Sequence, residues 1–104
     1  MDISEKQTYA ELFGTYESIL PDKLRSYLDD TLISDLSFSE IAENAGITKQ
    51  AVSNQIKRGL AELDRYEEKL QLVNSYRKRR DLEDQILATG DLELVKKLIQ
   101  LEEK

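Results

Sequence analysis

The segment from Leu36 to Arg58, LSFSEIAENAGITKQAVSNQIKR, places apolar residues three and four positions apart on both sides of one glycine. Ser37 is followed three residues later by Glu40, the spacing of a capping box at the start of a helix. Gly46 has no Cβ, so it can adopt the left-handed backbone that ends a helix within one residue. A second helix then begins at Thr48. The pattern predicts a helix-turn-helix over residues 37–58.

The second helix of this unit has two different faces. Its inward-facing residues are Ala51, Val52 and Ile56. They should pack against Ile47 beneath the corner and against the apolar side of the first helix, which is formed by Ile41, Ala42 and Ala45. A polar outer face at the start of a helix suits the major groove, where side-chain amides match adenine and basic side chains pair with phosphates. The predicted nucleic-acid-binding residues are Thr48, Lys49, Gln50, Ser53, Asn54, Lys57 and Arg58. The alternative is an ordinary helical corner whose polar residues face water.

The amino-acid composition limits the kinds of catalytic and metal-binding site that the chain can form. The 104 residues include four glycines, one proline, no cysteine and no histidine. Disulfides, thiol nucleophiles, imidazole bases and the usual zinc sites are therefore excluded. We expect no catalytic residues, no cofactor and no metal. Without a membrane-length apolar run or a signal-peptide pattern, we also expect a cytoplasmic protein with no membrane insertion.

The flanking segments are predicted to be helical as well. Two amphipathic helices are predicted before the corner, and the second begins at Pro21 and ends at Ser34 and Asp35. The apolar stripe of the first helix is Tyr9, Leu12, Phe13, Tyr16, Ile19 and Leu20. The apolar stripe of the second helix is Leu24, Tyr27, Leu28 and Leu32. The tyrosines on this stripe are expected to pack in the core. No alternating strand pattern is visible.

Beyond Ile56 the stripe continues through Leu60, Leu63, Tyr66, Leu70 and Val73, so the second helix of the corner should be long. A break is expected at Asn74 and Ser75. A further helix then contains Leu82, Ile86 and Leu87 and ends at Gly90. Asp91 should cap a last helix, with Leu92, Val95, Leu98 and Ile99 facing inward.

The predicted fold is all-α: a helix-turn-helix in a small helical bundle, with a long recognition helix and a C-terminal helical extension. Residues 1–74 would hold the N-terminal helices, the corner and the long helix. Residues 75–104 would form the extension, packed on the same domain.

The net charge of −6 is unusual for a protein that binds nucleic acid. The acids are concentrated in residues 1–36 and 81–104, whereas residues 37–80 are mildly basic. One dense basic cluster stands at Arg77, Lys78, Arg79 and Arg80. It either supplies auxiliary phosphate contacts or forms a solvated helix face balanced by nearby acids.

Several blocks of the chain resemble the YlxM family of small bacterial helical proteins. These blocks are LPDK at 20–23, DLSFSEIAE at 35–43, GITKQAV at 46–52, IKR at 56–58 and YEEKL at 66–70. The central region is also similar to the last helical domain of bacterial sigma factors, which binds promoter DNA, and this similarity implies a sigma-like helix-turn-helix. The resemblance implies a DNA-binding regulator acting in the signal recognition particle pathway.

Two hypotheses of function follow. The first is a non-enzymatic regulator that binds DNA or RNA through the corner, with signal recognition particle components as further partners. The second is a protein-interaction module, in which the corner is a scaffold and the partner is the particle's GTPase or its RNA. A homodimer through the long leucine-rich stripe is expected in addition.

Overall fold

The computed structural model describes residues 1–102 and is helical nearly throughout this range. The helices are α1 (Ile3–Tyr16), α2 (Asp22–Leu28), α3 (Phe38–Ala45), α4 (Lys49–Leu70), α5 (Leu72–Thr89) and α6 (Leu92–Glu102). A 3-10 turn (Glu17–Ile19) follows α1, and a π-helical turn (Asp29–Ile33) continues α2. The all-α prediction is confirmed.

The chain divides into two compact units. The first, here called the amino-terminal unit, is Met1–Leu70, and the second begins at Gln71 and contains the hairpin of α5 and α6. The predicted packing of residues 75–104 on the same domain stays a prediction, and its residues 103 and 104 lie outside the described range.

In the amino-terminal unit α4 contacts α1, α2 and α3, so its inner stripe forms the centre of the core. Val52, Ile56 and Leu63 of α4 are almost completely buried. They are surrounded by the buried side chains of the other elements, namely Leu12, Phe13, Tyr16, Leu20, Leu24, Tyr27, Leu28, Leu32, Ile41 and Ala42. Burial of this stripe is the main favourable contribution to folding here.

Tyrosine hydroxyls join α1 to α4. Tyr9 donates a hydrogen bond to Asp64 (2.9 Å), and Tyr16 donates to Glu67 (2.5 Å). Burial raises the pKa of Tyr9, and the hydrogen bond to Asp64 raises it further. Tyr16 and Tyr27 lie in the core as predicted, while Tyr9 is half-buried.

Several details differ from the sequence-based expectations. The long helix ends at Leu70, and Gln71 takes a left-handed conformation (φ 55°); Asn74 and Ser75 lie within α5. Ile19 is exposed because α1 ends at Tyr16 and the 3-10 turn changes the helical phase. Four residues expected on inward-facing apolar stripes are also exposed: Ala45, Leu70, Leu92 and Ile99.

Gly59 lies where α2 crosses α4. A Cβ at this position would lie 2.8 Å from Cδ1 and 2.9 Å from Cγ of Leu28, whose side chain is fully buried. A flexible side chain could move aside, but Leu28 is enclosed by the core. The glycine therefore permits the close approach of the two helices.

We predict that Gly59→Ala destabilises the protein. Alanine adds about 1 kcal/mol of helix propensity, but overpacking a filled core costs about 1–3 kcal/mol, so a net loss is expected. Gly14→Ala is the matched control, because Gly14 lies in α1 and no atom from elsewhere in the protein lies within 4 Å of the position that a Cβ would take. This substitution should stabilise the protein by about 0.5–1 kcal/mol. Urea unfolding measures both; equal stabilisation by the two substitutions would contradict the close packing.

Candidate nucleic-acid interface

The first helix of the corner begins with the predicted capping box. The Ser37 hydroxyl oxygen accepts a hydrogen bond from the backbone N–H of Glu40 (3.1 Å). The Glu40 carboxylate in turn accepts from the backbone N–H of Ser37 (3.1 Å). Two backbone donors at the start of α3 are thus satisfied.

The turn after α3 is formed by Gly46, whose backbone is left-handed (φ 69°, ψ 32°). The N–H of Ile47 donates to the Ala42 carbonyl (3.1 Å), and that of Gly46 donates to the Glu43 carbonyl (3.4 Å). This is the hydrogen-bond pattern of a Schellman motif. Ile47 is half-buried below the corner, so the predicted tight turn is confirmed.

The recognition helix α4 begins at Lys49, directly after Thr48. The Thr48 hydroxyl oxygen accepts from the backbone N–H of Ala51 (3.0 Å) and caps the helix. This hydrogen bond fixes the position of the first turn, and the hydroxyl O–H of Thr48 can still donate a hydrogen bond. Sequence reasoning placed Thr48 among the binding residues and did not separate this capping role from a base contact.

Six of the seven predicted binding residues are exposed, and Ser53 is half-buried. The exposed six are Thr48, Lys49, Gln50, Asn54, Lys57 and Arg58. Gln50 donates from Nε2 to Oδ1 of Asn54 (3.1 Å), one helical turn away. The two amides are thereby aligned along the outer face of α4, with Oε1 of Gln50 and Nδ2 of Asn54 outside this bond.

The basic side chains of this face are Lys49, Lys57 and Arg58, and all three are exposed. Within residues 1–102, neither Lys49 nor Lys57 takes part in a salt bridge. Arg58 acts on Glu62: the hydrogen bond from Arg65 is the main cause that lowers the pKa of Glu62, and the charge of Arg58 adds a smaller effect. Arg58 takes part in no salt bridge within this range either, so all three basic side chains are open to contacts with phosphates.

The basic cluster lies on α5 of the second unit. Arg79 lies 3.8 Å from Glu83, while Arg80 lies 3.6 Å from Glu83 and 3.7 Å from Asp84. These exposed pairs on one helix are what a solvated, charge-balanced face shows. The role of Arg77, Lys78, Arg79 and Arg80 as auxiliary phosphate contacts stays a prediction.

Two other kinds of function, metal binding and membrane insertion, were also considered for the described residues. Across residues 1–102 there is no cluster of carboxylates placed to hold a metal ion. No helix in the same range combines the length and apolar character needed to cross a bilayer.

Comparison with known proteins agrees with the helix-turn-helix geometry of this region. Residues 3–102 match the family described as "Putative helix-turn-helix protein, YlxM / p13 like". The chain belongs to this family. It is 39% identical over 84 residues to the UPF0122 protein YlxM of Bacillus subtilis, covering 79% of this chain and 76% of the relative.

Two further relatives of the YlxM / p13-like family show similar agreement. One from Halalkalibacterium halodurans is 41% identical over 80 residues, covering 77% of this chain and 73% of the relative. One from Bacillus cereus strain AH187 is 45% identical over 71 residues, covering 68% and 64%. The matched part therefore spans about two thirds to three quarters of these relatives' lengths.

We predict that Thr48→Ala destabilises α4 by about 1 kcal/mol through loss of its cap, and that Thr48→Ser keeps most of the stability because serine caps equally well. Thermal unfolding of both variants measures this difference. Equal melting temperatures for wild type and Thr48→Ala would show that the cap contributes nothing.

Proposed function

We propose that this protein is a non-enzymatic regulator that binds duplex DNA through the first three turns of α4. The observation that carries the proposal is the exposed polar face of Lys49, Gln50, Asn54 and Lys57, next to a capped turn. The inner side of the same turns is buried, so this face is held in a fixed orientation.

The shape of the corner favours DNA over double-stranded RNA. The major groove of B-form DNA admits one α-helix, whereas the major groove of A-form RNA is too narrow for side chains to read. Residues 48–58 span roughly 16 Å at 1.5 Å per residue, which is enough to lie along the groove. The resemblance of this region to the last domain of sigma factors supports the same choice.

The electrostatics favour weak binding that depends strongly on salt. Lys49, Lys57 and Arg58 are the basic side chains of residues 37–58, so about three phosphates are neutralised per corner. The logarithm of affinity should then fall with the logarithm of salt concentration with a slope of roughly −3. The acidic remainder of the amino-terminal unit further limits non-specific binding.

We predict that the double variant Lys49→Glu/Lys57→Glu abolishes binding to a duplex DNA probe at low salt, since it replaces two phosphate partners by repulsive carboxylates. Lys23→Glu/Lys69→Glu makes the same change in net charge elsewhere on the amino-terminal unit and should retain most of the affinity. Fluorescence anisotropy with duplex DNA and duplex RNA probes measures both variants. Wild-type affinity in the first variant, or equal losses in both, would contradict the proposal.

A second candidate function is supported by the charge of the amino-terminal unit, which carries fourteen acidic and eight basic side chains. Such a surface suits a basic protein partner. The resemblance to the YlxM family implies the signal recognition particle pathway as the process. In this alternative the corner is a scaffold. The acidic surface favours the particle's GTPase as the partner, and the particle RNA is the other partner that the resemblance implies.

The same lysine variants separate the two functions. If the chain acts as an interaction module, Lys49→Glu/Lys57→Glu should still be retained by the immobilised GTPase of the particle with unchanged affinity. Surface plasmon resonance against the GTPase and the particle RNA measures this. Absence of binding to both components by the wild-type chain would exclude the alternative.

A further inference from the structure

The hairpin of α5 and α6 leaves much of its apolar surface uncovered. In residues 71–102 Val73 is the one buried hydrophobic residue, whereas thirteen are buried in Met1–Leu70. Leu87 and Leu92 are 81% and 76% exposed, and Ile99 is 50% exposed. Large aliphatic side chains exposed together commonly mark an interaction surface.

A shallow groove runs between the two helices of the hairpin. Glu83, Ile86 and Leu87 of α5 line one side of the groove, and Val95 and Leu98 of α6 line the other. Apart from the Glu83 carboxylate, the lining side chains are aliphatic. The groove is thus an apolar trough whose one charged wall residue, Glu83, also pairs with Arg79 and Arg80.

The exposed face of α6 is complementary to this groove, because it combines aliphatic side chains with a positive charge. Leu92, Lys96 and Ile99 are spaced four and three residues apart, so they lie along one side of the helix. The Lys96 side chain is 71% exposed. This stripe presents two aliphatic side chains with a positive charge between them.

We propose that the hairpin is a dimerisation surface for a second copy of this chain. The stripe of α6 in each copy lies in the groove of the other copy, and each Lys96 faces the partner's Glu83. Because one surface contains both stripe and groove, the contact is reciprocal about a two-fold axis. Two hairpins then form a four-helix bundle, in which the exposed aliphatic side chains are buried.

Charge favours a second copy as the occupant. Residues 71–102 carry six basic and six acidic side chains, so two hairpins meet without net repulsion. The existing partners of the two charges are easily exchanged, since Lys96 pairs with Glu93 (3.2 Å) and Glu83 with Arg79 and Arg80, all at the surface.

The stripe of α4 that the sequence predicts as a dimer surface is largely buried within the chain itself. On α4, Leu63 is buried and Leu60 and Tyr66 are half-buried within the chain, so Leu70 at the end of the helix is the one exposed residue of this stripe. The stripe of the long helix therefore offers little to a partner, and the hairpin is the better surface.

The first test is the mass of the full chain in sedimentation equilibrium over a range of concentrations. Wild type should be a reversible dimer. Leu87→Glu should weaken dimerisation at least tenfold, because it places a carboxylate in the apolar groove beside Glu83. Ile3→Glu is the matched control, since Ile3 is 78% exposed outside the hairpin and its replacement should leave the dimer unchanged.

The second test uses charge reversal and mixing. Lys96→Glu and Glu83→Lys should each dimerise about tenfold more weakly than wild type, since each homodimer has like charges facing each other twice. An equimolar mixture of the two variants should recover dimerisation, because every facing pair is then opposite in charge. Recovery on mixing requires a contact between chains and cannot arise within one chain.

Three results would overturn the proposal. A wild-type chain that stays monomeric at its highest soluble concentration would exclude a second copy as the occupant, even if the groove bound another protein. Unchanged dimerisation by Leu87→Glu would place the interface elsewhere. Failure of the mixture to dimerise more tightly than either variant alone would exclude the Lys96–Glu83 contact.

Discussion

Burial of the inner stripe of α4 determines the rest of the amino-terminal unit. Val52, Ile56 and Leu63 are enclosed by α1, α2 and α3, so the rotation of this helix about its axis is fixed. A helix whose rotation is fixed must expose the opposite side chains, and at its start these are Lys49, Gln50, Asn54 and Lys57. The same burial that stabilises the fold therefore orients the proposed DNA-binding face.

Two local features fix the position at which α4 begins. Gly46 turns the chain in a single left-handed residue, and Thr48 caps α4 two residues later. Further along, Gly59 lets α2 approach α4 closely enough to bury Leu28 completely. Each glycine thus serves a different purpose: one provides a backbone conformation, and the other leaves space.

Local signals made the corner predictable from sequence. The Ser37 and Glu40 pair and the left-handed Gly46 follow from short-range chemistry, and both are present in the structure. The break at Gln71 was missed because glutamine gives no signal for a left-handed backbone, whereas Asn74 and Ser75 do favour a break. The exposed Leu92 and Ile99 were misassigned because periodicity defines an apolar face but does not show whether another element covers it.

The claim that α4 enters a DNA groove is tested most directly by an NMR titration of the 15N-labelled chain with a mixed-sequence DNA duplex at low ionic strength. The account predicts that the largest amide shift changes fall on residues 47–58, together with the side-chain amides of Gln50 and Asn54. Shift changes confined to other surfaces, or none at saturating duplex, would contradict it.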